Sequence, residues 1–292
     1  MNSKQPVPPA HESLRRAGLE VLLPRDEEYT LRQDSYFSRS AAQLTPACIV
    51  RPRSASDVSR AIRILAQGHH VFAIRSGGHG TSTGASNIAG GVTLDLGRLD
   101  WTRVVQADGG QDQDQNRAQG EVAAAVDIGP GARWADVYAS LHKHGLVVAG
   151  GREGGVGVGG LVLGGGNTYF SARHGFACDN VVAFEVVLAD GRIVNATAAF
   201  HADLFWALKG GSNNFGVVTN IRMKALTGGT VWGGLTLYPW QVAPLAVEAL
   251  TDFTSHVHED VDSNLLSFFL YRGMMSSFLS TYLRSNGELE VC

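Results

Sequence analysis

The chain has 292 residues, a formal net charge of −3 at pH 7, and 44% hydrophobic and 17% charged residues. This composition is typical of an ordinary globular protein with one large domain or two smaller ones, and the weak negative charge gives no indication of nucleic-acid binding. The 36 glycines are about twice the usual share, and the excess lies in a few clusters. This indicates separate local features of the backbone rather than a sequence repeat.

Cysteine content and terminal composition exclude several further classes. Cys48, Cys178 and Cys292 are odd in number and have no CxxC spacing, so we expect neither a disulfide framework nor a zinc site. Residues 1–12 are polar with no apolar signal region, and no run of eighteen apolar residues occurs. As written, the chain is expected to enter neither membrane nor secretory pathway, which favours the cytoplasm.

In chain order, residues 1–44 show little periodicity and predict an irregular lead-in with one short helix near Glu12–Leu22. A strand near Cys48–Val50 precedes a capping box, Ser54-Ala-Ser-Asp57, that predicts an amphipathic helix ending at Gly68. Further elements follow by pattern and turn chemistry: strands at Val71–Arg75, Val92–Leu96, Glu121–Ile128 and Val217–Lys224, helices near 134–141 and 201–208, and a hairpin over 180–197 turning at Ala189-Asp-Gly191. Between them, residues 108–121 are interpreted as a solvated hairpin tip or insertion.

After Leu226 the sequence pattern changes. A strand at Val231–Tyr238, a helix around 242–257, a strand at Leu265–Tyr271 and a last apolar piece to Leu283 predict the opening of a second, α+β domain. Two or three strands and one or two helices cannot bury their own apolar faces, so we interpret this second domain as incomplete.

The most distinctive stretch is Gly150–Gly166, where ten of seventeen residues are glycine. Such density persists where the main chain takes positive φ or lies against something large, which favours a ligand. The alternative is a flexible linker, but the interleaved Val and Leu residues are unlike the polar residues of linkers. A second small-residue loop, Ser76–Ser82, follows the strand at Val71–Arg75, and its amides and hydroxyls can converge on a phosphate.

Standard nucleotide motifs do not account for these loops. Gly155-Val-Gly-Val-Gly-Gly160 matches GxGxxG, with Asp179 about twenty residues on, but a Rossmann loop opens a helix, whereas Leu161-Val-Leu-Gly-Gly-Gly166 follows here, and Asp179 precedes a strand instead of ending one. We therefore reject NAD binding there. Neither GxxxxGK[ST] nor HExxH occurs.

Of ten scattered histidines, His79 differs because it lies inside the small-residue loop. A lone histidine is more often structural than catalytic. An imidazole at this position can nevertheless be a nucleophile or attachment point, and Arg75 offers fixed positive charge.

Five separated motifs carry a family resemblance: Arg75-Ser-Gly-Gly-His79, Gly129-Pro-Gly-Ala-Arg-Trp134, Val156-Gly-Val-Gly-Gly160 with Leu163-Gly-Gly-Gly166, Asp179-Asn-Val181, and Leu204–Gly211 ahead of Asn214–Thr219. In order and spacing, this set resembles the FAD-linked oxidases of the berberine-bridge-enzyme-like group. The resemblance covers about residues 45–226. It implies an α+β fold, a two-lobed PCMH-type FAD-binding domain of the vanillyl-alcohol-oxidase superfamily.

The expected domains are a lead-in at 1–44, the FAD-binding domain at 45–226 and a partial substrate domain at 227–292. The resemblance implies FAD as cofactor, a pyrophosphate on the Ser76–Ser82 loop and a covalent link from His79 to the flavin 8α-methyl. The cofactor-binding residues it implies are Arg75, Ser76, Gly77, Gly78, His79, Gly80, Thr81, Ser82, Gly154, Gly155, Val156, Gly157, Val158, Gly159, Gly160, Leu163, Gly164, Gly165, Gly166, Asp179, Asn180, Val181, Gly216, Val217 and Val218.

The chain departs from the family pattern in two ways. Many relatives carry a second attachment cysteine where this chain has Glu153, so one covalent bond at most is expected, and Glu153 is an unassigned carboxylate near the flavin. Relatives also continue well past this length and often carry the catalytic base there, so the base is expected beyond residue 292. Val156 matches the family's oxygen gate, where small side chains accompany O2 reactivity, and this favours an oxidase.

Three hypotheses follow. The favoured one is an FAD-dependent oxidoreductase, with a small organic substrate and O2 as partners. Relatives in the group that the sequence resembles are commonly secreted. The second is a truncated, catalytically inactive flavin-binding product with exposed hydrophobic surface. The third, a reductase of the same fold using NADPH, is disfavoured because such enzymes hold FAD without this His-bearing loop.

Overall fold

The computed structural model describes residues 9–106, 121–229, 231–272 and 275–285, which form three β-sheets with helices packed against them. The first sheet has the order β1-β2-β4-β3, with β2, β4 and β3 parallel and β1 antiparallel. Its elements are α1 (Ala10–Arg16), β1 (Val21–Leu22), α2 (Glu27–Asp34), α3 (Arg39–Ala42), β2 (Cys48–Val50), α4 (Ala55–Gln67), β3 (Phe72–Arg75) and β4 (Val92–Asp95). The strands predicted in this part of the chain are confirmed.

The lead-in is more regular than the sequence indicates. The short helix predicted near Glu12–Leu22 is present as α1 but ends at Arg16, and the lead-in also contains β1, α2 and α3. These segments have weak apolar periodicity because each is short, and it is tertiary packing that stabilises them. Tyr29 on α2, for example, is buried and donates its hydroxyl to the Pro46 carbonyl at 2.7 Å.

Helix α4 begins where the sequence predicts. Its N-cap, Ser54, accepts a hydrogen bond from the Asp57 N–H at 3.1 Å, and Asp57 in turn accepts from the Arg53 N–H at 3.0 Å. The helix ends at Gln67, with Gly68 as its C-cap. Its apolar side packs into the core of the first lobe, which is the first sheet with its helices, through Val58, Ala61, Ile62 and Leu65. Val187 and Val217 of the second lobe, which is the second sheet with its helices, join this core, so the two lobes are held together by shared apolar packing.

Replacing Ser54 with alanine is expected to lower the free energy of unfolding by about 1 kcal/mol, because the Asp57 N–H loses its acceptor at the start of the helix. Chemical denaturation measures the change, and Ser54→Asp, which restores an acceptor, is the control. Equal stability of the alanine and aspartate variants would contradict the assignment of this cap.

The second sheet has the order β5-β6-β10-β8-β9, with every neighbouring pair antiparallel and β7 paired with the end of β10. Its elements are β5 (Thr102–Gln106), β6 (Glu121–Ile128), α5 (Trp134–His142), β7 (Leu146–Val147), α6 (Val158–Leu163), α7 (Ser171–His174), a 3-10 turn (Ala177–Asn180), β8 (Val181–Val187), β9 (Ile193–Ala196), α8 (Ala202–Leu208) and β10 (Val217–Thr227). Trp134 and Phe184 are fully buried in its core. The hairpin prediction at Asp190-Gly191 is confirmed, with Gly191 at φ 81°. The interpretation of residues 108–121 falls almost wholly outside the described residues.

The third sheet has the antiparallel order β11-β13-β12. It consists of β11 (Val231–Pro239), β12 (Ser263–Arg272) and β13 (Met275–Ser285), with a 3-10 turn (Trp240–Val242) leading into α9 (Ala243–His256). Arg173 of α7 ties this sheet to the second lobe through a bidentate pair with Asp262, at 3.0 and 2.9 Å. The elements predicted here are present, and the domain limits at 45 and 227 stay a prediction.

Of the helices in the described ranges, none combines the length and apolar character that crossing a membrane requires.

Candidate functional site

The glycine-rich segment is an extended loop that leads into a short helix. Gly157 is the N-cap of α6, so the expectation that no helix follows GxGxxG was wrong. Two glycines inside a six-residue helix weaken the sequence signal, but Gly159 packs against Pro130 and donates its N–H to the Pro130 carbonyl at 3.0 Å. The other ground for rejecting a Rossmann fingerprint stands, since Asp179 lies in a turn before β8.

Two segments together form one surface: the loop after β3 and the glycine-rich segment. Gly77 and Gly157 lie backbone to backbone, and a Cβ on either would clash with the N–H of the other. The Ser76 hydroxyl donates to the Pro130 carbonyl at 2.6 Å and joins the turn at residues 129–131 to the same surface. Glycine is therefore required here for close approach of two main chains.

These segments enclose a cavity of about 430 Å³, within the usual range for small-molecule sites. The predicted site residues on its wall are Ser76, Gly77, Gly78, His79, Gly80, Val156, Gly157, Gly159, Gly160, Leu163, Gly216, Val217 and Val218. The wall therefore joins the β3 loop, α6 and the start of β10, which are far apart in sequence.

The remaining predicted site residues do not line this cavity. They are Arg75, Thr81, Ser82, Gly154, Gly155, Val158, Gly164, Gly165, Gly166, Asp179, Asn180 and Val181. Among them, the side chains of Arg75, Asp179 and Asn180 hydrogen-bond to other parts of the protein.

Arg75 turns away from the cavity into the core. Its guanidinium donates to the Arg32 carbonyl at 2.5 Å and to the Ser35 hydroxyl at 2.7 Å, and it lies 3.7 Å from the centre of the Tyr36 ring. A Cβ on Gly78 would lie 2.9 Å from this guanidinium, so Arg75 supports the loop from beneath. Burial lowers the pKa of Arg75.

Asp179 and Asn180 hold a turn. Asp179 accepts from the Phe176 N–H at 2.8 Å, and the buried Asn180 amide donates to the carbonyls of His174 and Phe176 at 2.8 and 2.9 Å. The turn is connected to the glycine-rich segment, because the Ala177 N–H donates to the Gly166 carbonyl at 2.7 Å. These two side chains therefore shape the loop at 165–180.

His79 lies on the cavity wall, with its side chain 27% exposed. Its ring stacks on Phe37, with centroids 4.5 Å apart and planes at 14°. Its Nε2 lies 3.6 Å from a carboxylate oxygen of Glu153. The lead-in thus contributes Phe37 to the site, a contact that the sequence did not indicate.

Several residues of the wall were not predicted. They are Ile74, Ala85, Ser86, Leu96, Pro130, Leu161, Ser212 and Asn213. Pro130 and Ser212–Asn213 fall in turns that the sequence marks through neighbouring glycines, so extending the prediction to whole turns would have included them. Ser86 lies beyond the small-residue loop and carries no such signal.

Comparisons with known proteins place the chain in a family. Residues 46–197, slightly more than half of the chain, match the FAD binding domain family. The chain belongs to this family, and FAD is the cofactor that the match defines.

One relative is the FAD-dependent monooxygenase drtC of Aspergillus calidoustus, which is 42% identical over 265 residues, covering 89% of this chain and 48% of the relative. The chain spans about half the length of the curated relatives it matches.

Solved structures show the same fold. The VAO-type flavoprotein MtVAO615 of Myceliophthora thermophila C1 has a TM-score of 0.74 at 23% identity, over 99% of this chain and 60% of that one. Glucooligosaccharide oxidase of Acremonium strictum, described with a 6-S-cysteinyl, 8α-N1-histidyl FAD, has a TM-score of 0.75 at 24% identity, over 94% and 54%. The predicted α+β, PCMH-type FAD-binding fold is confirmed.

The cavity fits this cofactor. No group in the described ranges accepts a hydrogen bond from the backbone N–H of Gly77, Gly78, His79 or Gly80, and free N–H groups in a loop suit phosphate oxygens. The Ser86 hydroxyl is buried and lacks a partner among the described residues. The aliphatic side chains of Val156, Leu161, Leu163 and Val217 offer apolar wall to a flat ring.

Proposed function

We propose that this cavity binds FAD and that the chain belongs to an FAD-dependent oxidoreductase, an oxidase that takes a hydride from a small organic substrate and passes the electrons to O2. The observation that carries the proposal is the cavity itself. Free loop amides, an orphaned buried hydroxyl and an imidazole, all within residues 77–86, line it on one side, and the glycine-rich segment and the start of β10 close it from separate parts of the chain.

When bound, FAD supplies the hydride acceptor, the flavin N5, and the protein supplies position and electrostatics. The amides of the loop at 76–80 are placed to hold the pyrophosphate, and the aliphatic wall excludes water from the ring. Val156 places only a small side chain in the wall beside the ring, which favours access of O2 as in the family that the sequence resembles.

His79 is proposed to bind the flavin covalently. We expect the yellow colour to stay with acid-precipitated protein, and to pass into the supernatant when His79 is replaced by alanine. Visible absorbance of pellet and supernatant measures the distribution. The alanine variant is expected to load FAD before precipitation, because the loop amides remain. Colour that leaves the unaltered protein on precipitation would contradict the covalent bond, and protein that never takes up FAD would contradict the site itself.

A second candidate is a flavin-binding chain without turnover. What favours it is exposed apolar surface on β11 and α9, where Leu235, Leu237 and Leu245 are 62%, 62% and 66% exposed. Steady-state peroxide production with an alcohol, sugar or amine substrate would exclude this candidate. Adding substrate without O2 shows which reaction is lost. If the bound flavin bleaches, the substrate is still oxidised and the reaction with O2 is lost; if it does not bleach, substrate oxidation is lost.

A further inference from the structure

Glu153 lies beside His79, a residue of the cavity wall. The Glu153 Oε2 lies 3.6 Å from His79 Nε2, an ion-pair distance slightly longer than a hydrogen bond. Hydrogen bonds around functional histidines are commonly long in ligand-free structures and shorten when the ligand binds. A small rotation of the Glu153 side chain, which is 64% exposed, would close the gap.

The carboxylate is already oriented by the main chain. Its Oε1 accepts a hydrogen bond from the Gly155 N–H at 3.0 Å, which leaves Oε2 toward the imidazole. Gly155 itself leaves the space in which the two groups meet, because a Cβ there would lie 3.3 Å from both carboxylate oxygens and 3.5 Å from His79 Nε2.

The imidazole is confined on its face as well as its edge. Phe37 stacks on the ring, and the Phe37 N–H donates to the Gly78 carbonyl at 3.1 Å, so the stacking partner is tied to the loop that carries His79. Arg133 is the neighbouring cation. Its guanidinium donates to the Gly155 carbonyl, and its charge interacts with Glu153 without displacing the carboxylate from His79.

We propose that Glu153 is the positioning residue for His79. Its carboxylate accepts a hydrogen bond from Nε2–H and thereby fixes the tautomer in which Nδ1 carries the lone pair. This inference rests on the proposed function, because Nδ1 is then the ring atom that bonds the flavin. A carboxylate that accepts a hydrogen bond from one imidazole N–H orients the ring and makes the other nitrogen more basic.

The bond formation balances with partners already named. Joining Nδ1 to the flavin 8α-carbon would replace one C–H bond of the 8α-methyl and the imidazole N–H by a C–N bond, and would release two protons and two electrons. The isoalloxazine would take up the electrons, and O2, the acceptor of the proposed oxidase, would receive them with the two protons as H2O2.

The first test compares Glu153→Gln and Glu153→Ala with the unaltered 292-residue chain, each loaded with FAD. Gln can still accept from the Gly155 N–H, but it then presents its NH2 group to His79 and favours the opposite tautomer. We expect both variants to bind FAD with unchanged affinity and to form acid-stable flavin about ten- to a hundredfold more slowly. Glu248→Gln, on the exposed side of α9, is the control and should match the unaltered chain.

The second test does not require flavin. The ¹⁵N chemical shifts of the His79 ring in flavin-free protein report the tautomer directly, with the signal assigned by its loss in His79→Gln. We expect the Nε2–H form in the unaltered chain and a shift toward Nδ1–H in Glu153→Gln.

An unchanged tautomer in Glu153→Gln would overturn the proposal, as would unchanged attachment kinetics in both Glu153 variants. If the unaltered chain binds FAD without a covalent bond, or binds no FAD, the proposed function fails in that part, and the tautomer shift alone decides the role of Glu153.

Discussion

Replacing Asp95 with asparagine is expected to lower the free energy of unfolding by about 3–5 kcal/mol, because it leaves buried guanidinium charge without its counter-ion. The Asp95 side chain is fully buried and accepts from Arg32 Nε at 2.6 Å and Nη2 at 2.8 Å. It also attracts the charge of Arg75, whose side chain is among the largest that are fully buried.

The two arginines respond to this carboxylate in opposite ways. Burial acts to lower the pKa of Arg32, but the paired hydrogen bonds and the charge of Asp95 raise it overall. For Arg75, burial dominates and lowers the pKa, although Tyr36 and Asp95 oppose the shift. Removing the carboxylate charge therefore destabilises the charged form of both arginines. Arg75 supports the loop at 76–80 from beneath, so this loop is expected to be disturbed as well.

Urea or thermal unfolding of Asp95→Asn measures this effect. The matched control is Asp190→Asn, which removes a carboxylate whose pair with Arg192 is exposed in the hairpin turn and should leave the unfolding midpoint unchanged. Equal midpoints for the two variants would show that the buried cluster does not carry the stability assigned to it.

The second large effect is expected where the two loops meet. Alanine at Gly157 is expected to destabilise the fold by about 1–3 kcal/mol and to abolish FAD binding, because its Cβ would clash with the Gly77 N–H and the Ser76 hydroxyl and force the loops apart. FAD titration followed by flavin fluorescence, together with chemical denaturation, measures both consequences.

Gly160 is the matched control, since it lies in the same segment and on the cavity wall. Apart from its chain neighbours and the backbone of its own helix, no atom in the described part of the chain would lie within 4 Å of a Cβ at this position. Alanine at residue 160 should keep or slightly raise stability through its helix propensity, and leucine should fill the cavity and weaken FAD binding roughly tenfold or more. If Gly160→Leu binds FAD as tightly as the unaltered chain, the cofactor does not occupy this cavity.

Local signals in the sequence determined much of the fold. The Ser54 cap, the Asp190-Gly191 turn and the apolar strands around it act within a few residues of one another, so their structures are legible without knowing the rest of the chain. The small-residue loop at 76–82 and the glycines at 150–166 also identified the main walls of the cavity and the place of His79 in it.

Other features depend on contacts between distant residues, and only the tertiary structure decided them. Helix α6 forms against Pro130 despite poor helix propensity, Phe37 reaches His79 from the lead-in, and Arg75 turns inward to Arg32. The sequence by itself determined the local elements, the family and the main loops that line the cavity, because caps, turns and glycine density act over short spans. The tertiary structure alone decided which side chains face the cavity and which face the core, because burial and charge pairing are settled when the lobes pack together.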